Sequence, residues 1–309
     1  MKFFKPKFWD QNEISFFSIF LYPATIFFKL LNLIKYLTIK PQNFSIPIIC
    51  VGNIYVGGTG KTPFCVELYS ILQKMNKKPV FIRKKYRTFK DEVALLSQIG
   101  IVYEEKKRII ALNNAIKNKT DIAILDDGFQ DPSINKSLSI ICFNEKKWIG
   151  NGLMMPSGPL REDISALRRA DLVIINGKNN SDIEKKILET NNKIKIFYSM
   201  YKPKNIDEFK NNKVVAFAGI GNPDNFFNLL KENNVNVLES INFPDHYNYS
   251  DKEIEDLIDK AKKNDSYLLT TEKDWLRINK NFRKNIKCLK LKIEIKNESG
   301  LVEEIKKFI

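Results

Sequence analysis

Between residues 47 and 62 an apolar run, Pro47-Ile48-Ile49-Cys50-Val51-Gly52, leads into Gly57-Gly58-Thr59-Gly60-Lys61-Thr62. The run reads as a short buried strand, the glycines as a loop and Thr62 as the opening of a helix. This order constrains the fold more than any other feature of the chain. Successive backbone N–H groups at a helix N-terminus make an anion site, and glycine lets the main chain curl around phosphates without Cβ clashes. Lys61 would then reach the β- and γ-phosphates of a nucleotide, and the Thr62 hydroxyl a Mg²⁺ ion. The template G-x-x-x-x-G-K-[ST] fails at its first position, which Tyr55 occupies, followed by Val56. The competing reading is a glycine turn whose Lys and Thr are merely solvated.

At 309 residues the chain is long enough for one large α/β domain or two smaller ones. Its formal charge of +15 suits an anionic partner: nucleic acid, a membrane surface or a phosphorylated substrate. Most of that charge is Lys, in a chain rich in Lys, Asn and Ile, so compositional bias accounts for part of it. Arg83, Arg87, Arg161, Arg168 and Arg169 gather in the stretch that carries the motifs, and Arg is the better bidentate phosphate clamp. No aromatic-interleaved basic stripe is visible, which argues against nucleic acid. Cys50, Cys65, Cys142 and Cys288 are widely spaced and form no C-x-x-C pair, as expected of buried thiols in a reducing compartment.

From Phe16 to Phe28 there is no charge, and apolar residues continue through Leu37. Lys29 and Lys35 interrupt the run and Pro23 is expected to kink it, so a spanning helix of about 20 apolar residues is not met. The segment is expected to form one or two helices in a membrane interface. Lys2, Lys5, Lys7, Lys29, Lys35 and Lys40 would then face anionic headgroups. A hydrophobic helix packed on the protein's own core is the alternative.

Beyond residue 40, strands and helices alternate, which predicts a largely parallel sheet covered on both faces. Strands are expected at Pro79–Arg83, Asp121–Leu125, Leu138–Phe143, Leu172–Ile175, Val214–Ala218, near Val235–Leu238 and at Tyr267–Thr270. Helices are expected over about 62–76, 104–118 and 251–264 and from Asn222, with Ser250-Asp251-Lys252-Glu253 as a capping box. Polar stretches at 176–186 and 202–212 read as loops, the second as a domain boundary. The expected fold is α/β, a P-loop NTPase-like, mostly parallel sheet flanked by helices. It comprises an interfacial segment over 1–40, a kinase-like core over 41–205 and a smaller C-terminal α/β subdomain over 206–309.

Four constellations carry possible chemistry. Ile122-Ala123-Ile124-Leu125-Asp126-Asp127-Gly128-Phe129-Gln130 is an apolar strand that ends in acid, delivering a carboxylate to a metal beside the phosphate loop, or else a plain turn. Lys90-Asp91-Glu92 alone reads as a solvated loop. Leu160-Arg161-Glu162 follows the rigid turn Met155-Pro156-Ser157-Gly158-Pro159 and presents an Arg and a Glu, or only a surface ion pair. Phe243-Pro244-Asp245-His246-Tyr247 holds the chain's only histidine, structural or catalytic.

These motifs, with Leu268-Leu269-Thr270-Thr271-Glu272-Lys273-Asp274-Trp275 and the N-terminal Leu21-Tyr22-Pro23 helix, resemble in the same order the tetraacyldisaccharide 4'-kinases of lipid A synthesis. The resemblance covers nearly the whole chain. It implies a membrane-associated P-loop kinase that transfers the γ-phosphate of ATP to the 4'-hydroxyl of an acylated glucosamine disaccharide 1-phosphate, making lipid IVA on the cytoplasmic face of the bacterial inner membrane. Residue by residue, it assigns Tyr55, Val56 and Gly57 to Thr62 to ATP, with Lys61 at the transferring phosphate. Thr62, Asp126, Asp127 and Glu162 fall to Mg²⁺. Asp91 would be the base at the sugar hydroxyl with His246 as its partner, and Arg161 a transition-state clamp. Such roles suit phosphoryl transfer, which needs alignment and charge neutralisation. Two positions depart from the family pattern: Asp131 stands where His is usual, and Arg83-Lys84-Lys85-Tyr86-Arg87 replaces a glycine-containing Arg-Gly-Tyr stretch. The alternative class, a P-loop regulatory or assembly NTPase at the membrane, lacks a guanine-reading N-K-x-D; Thr271-Glu272-Lys273-Asp274 comes near it.

Overall fold

The structure, a computed structural model, describes residues 6–11, 13–86, 90–245 and 247–309; Lys2, Lys5, Arg87 and His246 lie outside the described residues. In chain order the elements are α1 (Phe16–Thr38), β1 (Ile48–Gly52), α2 (Lys61–Lys74), β2 (Pro79–Lys84), α3 (Lys90–Ser97), β3 (Val102–Glu105) and α4 (Arg108–Lys117). Next come β4 (Ile122–Asp126), β5 (Leu138–Asn144), β6 (Leu172–Asn176), α5 (Ser181–Thr190), β7 (Lys195–Pro203), β8 (Lys213–Ala218) and α6 (Pro223–Glu232). The chain closes with β9 (Asn236–Asn242), α7 (Asp251–Lys263), β10 (Tyr267–Thr271), α8 (Glu272–Arg277), β11 (Lys287–Leu289), β12 (Leu291–Ile295) and α9 (Glu298–Lys306).

Two compact units result, one of Met1–Lys85, Ile101–Met200 and Glu294–Ile309, the other of Tyr86–Gly100 and Tyr201–Ile293. α1 belongs to the first unit and α3 to the second; the chain passes to the second unit at Tyr201 and returns to the first at Glu294.

The larger sheet runs β12-β7-β6-β5-β1-β4-β2-β3, with β1 parallel to both β4 and β5. β1 is buried throughout, which is why its sequence is a continuous apolar run rather than an alternation. Chain order reverses around β1, and ligands of open α/β sheets bind at the carboxyl ends of strands at such a switch point. The second unit has a four-stranded parallel sheet, β11-β10-β8-β9. Phe226, Phe227 and Leu230 pack on one of its faces, and Ile254, Leu257 and Ile258 on the other. The capping box at Ser250 and Glu253 is formed.

Four segments differ from expectation. The helix placed over 104–118 is β3 followed by α4, because Val102 and Tyr103 pair with Phe81 and Ile82 at the sheet edge. The polar stretch 176–186 contains the start of α5, where the Asn180 side chain accepts from the amides of Asp182 and Ile183. The stretch 202–212 holds the end of β7 and a 3-10 turn at Ile206–Glu208. Lys90–Glu92, expected in a loop, opens α3, and Asp91 is buried there rather than solvated.

The N-terminal segment is a single helix that runs through Pro23, capped by Ser15. It is long and apolar enough to cross a membrane by length and composition alone. One stripe is stitched to the first unit. Thr25 Oγ1 donates to Ser157 Oγ at 2.8 Å, Lys35 Nζ donates to the Gln130 carbonyl at 2.7 Å, and Lys29 pairs with Asp163 at 2.9 Å. Lys29 and Lys35 thus also hold protein partners on the first unit. The opposite stripe leaves Phe16, Phe17, Phe20, Phe27 and Leu37 exposed.

Candidate active site

The phosphate loop is braced from below and from the side. Asn53 Nδ2 donates to the Tyr55 carbonyl and, at 3.1 Å, to Thr59 Oγ1, while Gln130 Nε2 donates to the Asn53 carbonyl at 2.8 Å. The Tyr55 hydroxyl donates to Asp10, so the non-glycine residue at the template's first position serves as a strut to the N-terminal turn. Gly60 caps α2 at φ +91°, a left-handed conformation open to glycine at little cost. Gly52 lets β4's continuation approach, since a Cβ there would stand 2.5 Å from the Phe129 Cβ.

Backbone bonds bring the second motif to the loop. Val56 N donates to the Pro159 carbonyl at 2.8 Å and Arg161 N to the Ile54 carbonyl at 2.7 Å, setting Leu160 against Tyr55. Arg161 Nη1 thereby reaches both Asp127 carboxylate oxygens at 2.9 Å, and Lys61 Nζ lies 3.7 Å from Oδ1. Burial opposes ionisation of Asp127, but Lys61 and Arg161 outweigh it and hold the carboxyl well below the usual carboxylate range. Asp126, at the end of β4, lies 3.4 Å from Arg83 Nη1 and 3.8 Å from the Cys65 thiol. Arg169 Nη2 donates to Glu162 at 2.7 Å while its guanidinium lies between the rings of Tyr36 and Phe129. The structure thus gathers Tyr55, Val56, Gly57 to Thr62, Asp126, Asp127, Arg161 and Glu162 at one edge of the first unit. Among the described residues no three acid, thiol or imidazole side chains form a ready metal cluster. Mg²⁺ needs none, because it binds through one or two carboxylates together with substrate phosphates and water. The Thr62 hydroxyl and the neighbouring carboxylates are hard oxygen donors of that kind.

In the sequence Arg108 follows two lysines and reads as part of a solvated run. It is buried, donating from Nη2 to the Asp127 carbonyl at 2.6 Å and from Nη1 to Asp131 at 3.1 Å. Asp127 itself sits at φ +60°, a conformation that costs a non-glycine residue and is held here by this bond. Burial opposes ionisation of Asp131, yet bonds from Ser133 and the Arg108 charge lower its pKa. A depressed pKa contributes stability that is present above the unfolded value and is lost as pH falls towards the folded one. Asp131→Asn is therefore expected to destabilise the protein by about 2 kcal/mol at pH 7, the scale for a hydrogen bond to a charged group. The difference from wild type should narrow below about pH 4, which urea titrations at pH 7 and pH 3.5 would read. An equal difference at both would show that Asp131 is not ionised in the fold.

Asp91 belongs to the second unit. Arg277 donates to its Oδ2 from Nε at 3.2 Å and Nη2 at 2.6 Å, and neighbouring Glu92 accepts from Lys273 at 2.9 Å. Nothing local to Lys90-Asp91-Glu92 in the sequence points to Arg277 or Lys273. The available signal was Asp274 and Arg277 spaced three apart beyond the β10 strand end.

The tetraacyldisaccharide-1-P 4'-kinase family model matches residues 17–309. A tetraacyldisaccharide 4'-kinase of Pelagibacter ubique is 43% identical across 99% of this chain and 98% of its own length. That of Rickettsia akari is 34% identical across 99% and 97%. The crystal structure of LpxK from Aquifex aeolicus in complex with ATP matches with a TM-score of 0.75 at 25% identity, covering 94% of this chain and 99% of that one. From its N-terminal helix to its C-terminus, this chain belongs to the tetraacyldisaccharide 4'-kinase family.

Proposed function

We propose that this protein is an ATP-dependent lipid kinase that phosphorylates the 4'-hydroxyl of tetraacyldisaccharide 1-phosphate to give lipid IVA. The observation that carries the reading is a family match over residues 17–309 that includes a strand, glycine loop and helix with two cations, Lys61 and Arg161, converging beside the loop. Gly57 to Thr62, with Tyr55 and Val56, would cradle the ATP phosphates, Lys61 at the transferring group. Mg²⁺ would be held by Thr62 and by Asp126, Asp127 and Glu162; when bound it supplies charge neutralisation at the phosphates. Arg161 would clamp the equatorial oxygens. Asp91, assisted by His246, would take the proton of the 4'-hydroxyl as the new P–O bond forms and the bond to ADP breaks. Phosphate incorporation from γ-labelled ATP, with GTP in parallel, tests this reading. Turnover of GTP without acceptor phosphorylation would favour a regulatory NTPase instead.

The substrate's acyl chains place the reaction at a membrane, on this reading the cytoplasmic face of the inner membrane. The exposed stripe of α1 suits an interfacial role with anionic lipid. Truncating residues 1–36 would also remove Thr25 and Lys35, which bond to the core, so substitution is the cleaner test. Replacing the exposed Phe16, Phe20 and Phe27 together by Ser should release the protein from anionic vesicles while leaving its melting temperature nearly unchanged. Undiminished co-sedimentation would assign the membrane contact to another surface.

A further inference from the structure

Arg277 lies in the second unit between two buried carboxylates. Its Nε and Nη2 grip Asp91, and its Nη1 donates to the Gly219 carbonyl at 2.6 Å and to Asp274 Oδ1 at 2.9 Å. Asp274 is fully buried and is itself fixed from three further sides. Its Oδ2 accepts from the Gly219 amide at 3.1 Å and from Thr271 Oγ1 at 2.7 Å, and its Oδ1 accepts from the Tyr249 hydroxyl at 2.9 Å. The planar guanidinium is thus held at one end by a rigid acceptor set and turns its other edge, Nε and Nη2, to Asp91 Oδ2. A lysine could carry the charge but not the fork.

We infer that Arg277, locked by Asp274, is a positioning residue that sets the carboxylate of Asp91 for proton abstraction. This inference rests on the reading of Asp91 as the base. Two features separate it from a tie that merely joins α3 to α8. Helix-to-helix attachment is already supplied by the more exposed Lys273–Glu92 pair, at 2.9 Å. And one guanidinium serves two carboxylates, so its charge is shared between Asp91 and Asp274. Among the described residues, the charged and titratable groups around Asp91 include Arg277, Lys273 and Asp274 on α8, Glu92 on α3, and Tyr249 behind Asp274, and on the proposed reading His246 adds an imidazole. With Lys273 and Glu92 paired to each other, Arg277 is the cation that bonds directly to Asp91 and biases how readily it takes a proton. Removing it leaves two buried acids without their cation and raises the pKa of Asp91; removing Asp274 gives Asp91 the whole charge and lowers it.

The test is the pH dependence of kcat/KM on the lipid acceptor for wild type, R277K, R277M, D274N and D91A, each checked by circular dichroism for folding. R277M should lower kcat by about 100-fold, and R277K by about tenfold, with KM for ATP within about twofold of wild type. The acidic limb should move up by about one pH unit in R277M and less in R277K, and move down in D274N. A merely structural tie would cost active protein without moving the limb in opposite directions. Should R277M fail to fold, R277K and D274N decide. Wild-type kcat and an unmoved limb in the folded Arg277 variants, with D91A inactive, would overturn the positioning role alone. If D91A keeps activity within about tenfold, the reading of Asp91 as the base falls and this inference with it.

Discussion

Lys61→Ala is expected to reduce turnover of the lipid acceptor by about 10³-fold or more, the scale for removing a preorganised cation from a transferring phosphoryl group. The fold should survive. Lys61 is the first residue of α2, and its ammonium faces Asp127 across 3.7 Å rather than the apolar core. Asp127 would keep the two 2.9 Å bonds from Arg161, so its carboxylate is not left without a cation. A thermal melt and the far-UV spectrum should therefore resemble wild type while activity is lost. Residual activity within about tenfold of wild type, roughly 1.4 kcal/mol of barrier, would remove Lys61 from the transferring phosphate.

Asp91→Ala and His246→Ala should each lower kcat by about 10²–10⁴, the range for a general base and its partner. The double variant should cost far less than the product of the two, because residues that act as a unit are non-additive. KM for ATP should hold nearly constant, since neither residue belongs to the loop at Gly57 to Thr62. Asp91→Ala also strips Arg277 of one partner in a buried setting, so Asp91→Asn, which keeps the shape, is the companion variant. Strictly multiplicative losses, or a large fall in ATP affinity in either single variant, would contradict a shared role at the acceptor hydroxyl.

What could be read in the chain, and what could not, divides along a physical line. The phosphate loop was legible because its chemistry is local: a buried strand, glycines and a helix start lie within sixteen residues of one another. Asp126 and Asp127 were legible for the same reason, at the end of an apolar run. Asp91 looked solvated because Lys90-Asp91-Glu92 is wholly polar; only packing of α3 against α8, far along the chain, buries it. Arg108 and Arg277 carry no local signal likewise, since each is defined by a carboxylate distant in sequence or by a backbone carbonyl. The lysines of α1 show how tertiary partners add to a local reading. Lys29 and Lys35 read as headgroup contacts because a helix rich in Phe and Leu suggests a bilayer; Asp163 and the Gln130 carbonyl, far along the chain, are partners no local pattern announces. β3 was absorbed into a helix because an edge strand of four half-buried residues has no period of its own.

The position of the transferred phosphate is the property that distinguishes a 4'-kinase most directly. The purified protein, incubated with Mg-ATP and tetraacyldisaccharide 1-phosphate, should yield a product heavier by one phosphate. Fragmentation by mass spectrometry should place the new group on the 4'-oxygen of the distal glucosamine with the 1-phosphate retained. ATP consumed with no bis-phosphorylated lipid, or a phosphate found on any other hydroxyl, would contradict 4'-kinase activity.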